Sequence, residues 1–200
     1  MVKVTKQLTQ TKKDAFLDQG TLNATTDKIL DACDGIDGVK DGLIENPLNC
    51  HFDIETLACS ATASLDGNNG TCLSSDQMQA LKAIYDGPRN PRTGTPIYPG
   101  FEFGSERELM MQETSLYVQY AAPLLQNLVF NNLSYDIETF DFDRGVTKVN
   151  KAASDLIDSI DYDLGAFRSH GGKMIVSQGK QQYPTRCLHD LPILTLLRLD

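Results

Sequence analysis

Tryptophan is absent from the 200 residues, histidine occurs three times, and cations are few: 18 Lys and Arg stand against 27 Asp and Glu. The net charge of -9 argues against nucleic acid or an anionic membrane as the main partner, because a polyanion would repel the chain. No apolar run approaches the roughly 20 residues that a membrane-spanning helix needs. The longest, residues 191–199, is interrupted by Thr195 and Arg198. The first residues, Met1-Val2-Lys3-Val4-Thr5-Lys6, carry no apolar secretory core. No Cys-x-x-Cys or Cys/His zinc spacing occurs, which disfavours structural zinc. Also missing is Gly-x-Ser-x-Gly, the elbow that presents a serine nucleophile. Hydrophobic residues make up 40%, enough for a core, so general disorder is not expected. The length fits one to two domains.

Cysteine is present in an odd number, five, and four of these, Cys33, Cys50, Cys59 and Cys72, fall close together. Such a cluster in a loop-rich stretch suggests disulfides, with free buried thiols as the other reading. Three sequons, at Asn23, Asn69 and Asn132, are glycosylation candidates and fit an extracellular setting. Residues 3–19 read as a helix closed by Gly20, and a second helix is expected from Thr26 to Cys33. Residues 34–75 are rich in glycine and turns and have no helical period. Ser74 with Gln77 reads as a capping box for a helix to about Tyr85, with Met78, Leu81, Ile84 and Tyr85 on its apolar face. Residues 87–99 read as a surface loop. A second box, Ser105 with Glu108, predicts a helix to about Gln126, broken before Pro123. Further helices are expected at 147–160 and 163–169. Gly171-Gly172 then leads into a β-branched run, Lys173 to Ser177, of the kind that enters a parallel sheet. One strand cannot bury a sheet, so the chain reads as an inserted helical region followed by the start of a sheet segment.

The acidic loop Cys33-Asp34-Gly35-Ile36-Asp37-Gly38-Val39-Lys40-Asp41-Gly42-Leu43-Ile44 is the strongest chemical signal. Residues 31–45 hold Asp31, Asp34, Asp37, Asp41 and Glu45 against Lys40 alone. Close carboxylates repel one another unless a cation lies between them. Calcium takes six to eight oxygens, from carboxylates, carbonyls and water. Asp34, Asp37 and Asp41 offer side-chain oxygens, and Val39 and Leu43 offer carbonyls at alternate positions. The spacing is not that of an EF-hand. Residue types alone leave calcium and a solvated acidic turn equally open.

This loop, followed by Pro47, Cys50, Phe52, Leu57-x-Cys59 and Cys72-Leu73-x-x-x-Gln77, resembles the fungal tannase and feruloyl esterase family. Tyr98-Pro99-Gly100-Phe101, Glu106 and Asp163-Leu164-x-Ala166-Phe167-x-x-x-Gly171-Gly172-Lys173 continue the resemblance, which covers residues 4–179 in five ordered blocks. It implies an α/β-hydrolase fold, of which this chain is the mostly helical, loop-rich lid with one core strand near its C-terminal end. The implied layout is a calcium-binding, disulfide-linked lid over 1–162 and a returning core over 163–179. The tail at 180–200, with Cys187, matches nothing in the family and reads as a shifted frame or gene-model artefact. The resemblance assigns calcium as the cofactor, with Asp34, Asp37, Val39, Asp41 and Leu43 as ligands. It also pairs Cys33 with Cys50 and Cys59 with Cys72.

The family hydrolyses phenolic esters, feruloyl or galloyl, by a Ser-His-Asp triad. Its serine lies in Cys-Ser-x-Gly-Gly, whereas Cys59-Ser60 here is followed by Ala61-Thr62-Ala63. Its histidine precedes a cysteine, whereas His51, His170 and His189 precede Phe52, Gly171 and Asp190. Asp190 lies too far past the expected strand to be the acid. No catalytic residue is assigned, and the chain is expected to be an inactive fragment of a secreted esterase. Its partner would be a small-molecule or plant cell-wall phenolic ester, with no nucleic acid and no membrane. Tyr98, Phe101, Phe103, Leu109 and Met110 are candidates for the acyl pocket wall, with ordinary lid core as the favoured reading. The alternative function is a non-catalytic, calcium-stabilised binding or structural module.

Overall fold

Asp18 decides where the first helix starts. Its backbone is extended and its carboxylate accepts the Thr21 N–H at 2.7 Å, an N-cap that satisfies an otherwise orphaned donor. The computed structural model, which describes residues 15–59, 72–111, 119–158 and 163–174, therefore opens with α1 over Gln19–Cys33. The expected helix over 3–19 lies mostly outside the described residues. Where it is described, at 15–18, it is not α-helical, and Gly20 lies in the first turn of α1 rather than at a C-terminus.

Residues 34–46 form turns without helix or strand, followed by short 3-10 turns at Pro47–Asn49 and Ile54–Leu57. Both cysteine pairs are disulfides, Cys33–Cys50 and Cys59–Cys72. Beside the second, Ala58 pairs with Leu73 in a parallel bridge; the Leu73 N–H donates to the Leu57 carbonyl and the Cys59 N–H to that of Leu73. Helix α2, Ser75–Asp86, opens with the expected capping box: Ser74 Oγ accepts the Gln77 N–H, and the Gln77 side chain accepts the Ser74 N–H. Its inward face packs Met78, Leu81 and Ile84 with Leu17, Leu22, Leu57, Leu73 and Leu109 into the main core. Gly100 lets the returning chain lie on α2, since a Cβ there would stand 1.6 Å from the Tyr85 carbonyl oxygen.

The second capping box does not form. Ser105 has helical rather than extended backbone, and its hydroxyl donates to the Glu102 carbonyl. A 3-10 turn at Glu106–Glu108 runs into one α-turn, Leu109–Met111. Residues 119–129 are helical through Pro123, with wide turns over Leu124–Val129 in which the Phe130 N–H reaches back five residues to the Leu125 carbonyl. Widening accommodates the proline that would break a regular helix here. A satellite core joins Leu125, Ile137 and Phe140 to Phe130, Tyr135, Val146 and Val149.

Helix α3 spans Arg144–Ile157, three residues earlier than its expected start. Asp143 stands at its cap without capping it, because its carboxylate is turned to Arg92 and Asn90. Helix α4, Gly165–Ser169, is exposed throughout. Of the expected strand, Lys173 and Met174 are not in a ladder, and 175–177 lie outside the described residues, as does the tail to 200. The only β pairs among the described residues are two isolated bridges. No described helix is long and apolar enough to cross a membrane.

Candidate metal centre

The acidic loop hangs from the C-terminus of α1, the negative end of the helix dipole, where no basic residue stands in the last turn. Cys33 and Cys50 are buried with Ile29, against Ile44, Phe52 and Phe103, so both feet of the loop are fixed to the core. Asp34 Oδ1 accepts the N–H groups of Asp41 at 3.2 Å and Gly42 at 3.0 Å, which folds the far side of the loop back onto its start. Asp37 Oδ1 accepts the Val39 N–H at 2.9 Å, and Asp41 Oδ1 that of Leu43 at 3.1 Å. These are Asx turns, which need no partner outside the loop. Gly38 and Gly42 hold φ of 93° and 82°, a backbone region costly for any residue with a Cβ.

Three aspartates thus each spend one carboxylate oxygen on a main-chain amide, and no hydrogen bond among the described residues engages the other. The Val39 and Leu43 carbonyls accept no hydrogen bond from a described residue. All these donors are oxygen, the kind a hard divalent cation takes. In this conformation, no three acidic, histidine or cysteine side chains among the described residues converge closely enough to hold an ion. The donor set fits calcium in kind.

Behind the loop lies a buried acid that the sequence pattern placed in a capping box's neighbourhood without a role. Glu106 is 0% exposed. Its Oε1 accepts the Tyr85 hydroxyl at 2.6 Å and the Gly104 N–H at 3.1 Å, and its Oε2 lies 3.0 Å from Thr26 Oγ1. Burial pushes its carboxyl above the usual range, against the lowering effect of these bonds. Burial also raises the Tyr85 phenol, and the adjoining carboxyl adds to that shift. Helix α1, helix α2 and the turn at 104–106 therefore meet on one side chain. Gly104 in turn lies against Ile44, whose Cδ1 would be 3.1 Å from a Cβ at position 104.

The other sequence-predicted residues are placed as follows. Asn23 is exposed on α1, but Thr25 of its sequon is buried at 3% exposure; Asn132 is exposed in a turn; Asn69 lies outside the described residues. Leu109 is fully buried, and Phe101, Phe103 and Met110 are partly buried against the cores, with Phe103 edge-on to Tyr85 and Phe52. These four are core, while Tyr98 is 46% exposed. His51 and His170 are exposed and far apart in the chain, and His170 Nδ1 contacts the Ala166 carbonyl at 2.7 Å. His189, Asp190, Cys187 and Ser60 lie outside the described residues. A shallow cavity of about 430 Å³ at the start of α3 is lined by Arg92, Asp143, Arg144, Thr147 and Lys148. There the Arg92 guanidinium and the Asn90 amide hold the Asp143 carboxyl below its usual range.

The fold is of the α/β-hydrolase type, and the described residues of this chain are mostly helical with only two isolated β bridges. The chain belongs to the tannase and feruloyl esterase family, whose sequence profile matches residues 2–191, so residues 180–191 of the tail expected to match nothing fall within the family match. It is 31% identical to a probable feruloyl esterase B-1 of Aspergillus flavus over 83% of this chain and 31% of that protein. An uncharacterized esterase of Xanthomonas campestris is likewise 31% identical, over 82% of this chain and 31% of its own. The crystal structure of feruloyl esterase B from Aspergillus oryzae superposes with a TM-score of 0.69 at 28% identity, covering 86% of this chain and 34% of that one. The chain thus spans about a third of the length of the relatives it matches.

Proposed function

We propose that this chain is the lid of a secreted carboxylic ester hydrolase acting on phenolic esters of the feruloyl or galloyl type. The observation that carries the reading is the superposition of most of this chain on one third of feruloyl esterase B. Two disulfides support an oxidising destination. The serine, histidine and aspartate of such a reaction come, on this reading, from the parts of the family's length that the chain does not span. The lid contributes shape and exclusion of water rather than a reacting group.

Within the lid, the loop from Asp34 to Leu43 holds calcium, with Asp34, Asp37 and Asp41 as carboxylate ligands and Val39 and Leu43 as carbonyl ligands. The ion supplies compensation for clustered negative charge, and the chain's own part is to fix the loop's feet and pre-fold its turns. The test is direct. The purified chain should release no phenolate from a chromogenic feruloyl ester, and calcium-independent turnover would overturn the assignment of the triad elsewhere. Chelation should lower the melting temperature, since ligand binding to the folded state is linked to stability. An unchanged melting temperature with background metal content would remove the calcium site.

A further inference from the structure

Thr26 has one hydroxyl proton and two oxygen neighbours. Its Oγ1 lies 3.1 Å from the Leu22 carbonyl oxygen, one turn back in α1, and 3.0 Å from Glu106 Oε2. If Glu106 is ionised, Thr26 can donate to only one of them. If Glu106 carries a proton on Oε2, it donates to Thr26, Thr26 donates to Leu22, and every short contact has its hydrogen. Oε1 then remains the acceptor for the Tyr85 hydroxyl and the Gly104 N–H.

The surroundings favour the same state. No cation pairs with Glu106 among the described residues; Arg107, next in the chain, pairs with Asp27 at an exposed site. Among the described residues, the groups that hydrogen-bond the carboxyl are Thr26 from α1, Tyr85 from α2 and the Gly104 and Glu106 amides of the turn itself, none of them charged. An isolated carboxylate in such a place is costly, whereas a hydrogen-bonded acid is not.

We infer that Glu106 is a neutral carboxylic acid that clamps α1, α2 and the 104–106 turn together, and that raising the pH weakens this clamp by ionising it. The device is acid-favoured. The carboxyl titrates higher in the folded chain than in the unfolded one, so its contribution is complete below the ordinary carboxyl range and is lost as pH rises through the folded value. Because Gly104 rests on Ile44 beside the acidic loop, the loss would be felt there.

The test is thermal melting of the full chain and of Glu106→Gln between about pH 4 and about pH 9. Glutamine keeps the neutral state, the donor to Thr26 and the acceptor for Tyr85. The variant should lose little at acid pH, gain on the wild type as pH rises from the ordinary carboxyl range to the folded value, and hold that gain above it. A second measurement is the infrared C=O stretch of a protonated acid, expected at slightly acid pH as a band of the wild type that exceeds the variant's in the difference spectrum. A difference in melting temperature that stays constant with pH, or no protonated-acid band in the wild type, would each overturn the inference, and should the variant not fold the wild-type band decides.

Discussion

The loop between Cys33 and Cys50 offers the sharpest quantitative test, because its closure is covalent and its length is known. Replacing both cysteines by alanine releases a crosslink of sequence separation 17. Constraining a loop of that size lowers the entropy of the unfolded chain by an amount worth about 3 kcal/mol at room temperature. Both cysteines are buried, at 4% and 5% exposure, against Ile29, Ile44, Phe52 and Phe103, so the variant also loses packing and the loss should not fall below that figure. For a chain of this size the corresponding drop in melting temperature is about 6–12 °C. Urea unfolding of the wild type and the Cys33→Ala/Cys50→Ala variant, at matched calcium, measures it as a shift in midpoint. A loss under about 1 kcal/mol would refute the reasoning, since it would mean that the acidic loop is held in the unfolded chain or by other contacts as firmly as by the bond. A loss that grows when calcium is present would tie the bond to the ion site.

Leu81→Ala, at a fully buried position of α2, should cost about 2–5 kcal/mol, whereas Leu133→Ala, at 73% exposure, should change stability by about 0.5 kcal/mol or less; denaturant midpoints compare them. Asp18→Ala removes the N-cap of α1 and should cost about 1 kcal/mol, largely restored by Asp18→Ser, read by thermal melting. Gly100→Ala drives a methyl group into the Tyr85 carbonyl and should cost about 1–3 kcal/mol, with tryptic cleavage of the 87–100 segment accelerated.

Where sequence and structure agree, the cause is local. The Ser74–Gln77 box needs only residues three apart, and its hydrogen bonds form as the pattern predicts. The apolar face Met78, Leu81 and Ile84 follows from a period of 3.6 and is buried as such. The turns of the acidic loop are likewise local, since each aspartate caps an amide two residues on or closes onto Asp34.

Where they differ, a distant partner won. Asp143 has a capping position but is drawn off by Arg92 and Asn90, some fifty residues earlier in the chain. Ser105 and Glu108 have the spacing of a capping box, yet Glu106 between them is pulled into the core by Tyr85 and Thr26, and the backbone turns as 3-10 instead. Pro123 signals a break, and the tertiary answer is a widened helix over the satellite core.

The acidic oxygen-rich loop, the cysteine content, the helix of residues 75–86 and the family follow from residue type and short spacing alone. The cysteine pairs implied by the family resemblance form, but it took the folded chain to bring a glutamic acid with no cation beside it among the described residues between two helices and a turn. Burial is a property of the whole packed chain, and it alone turns an ordinary surface carboxylate into the proton-bearing centre of a core.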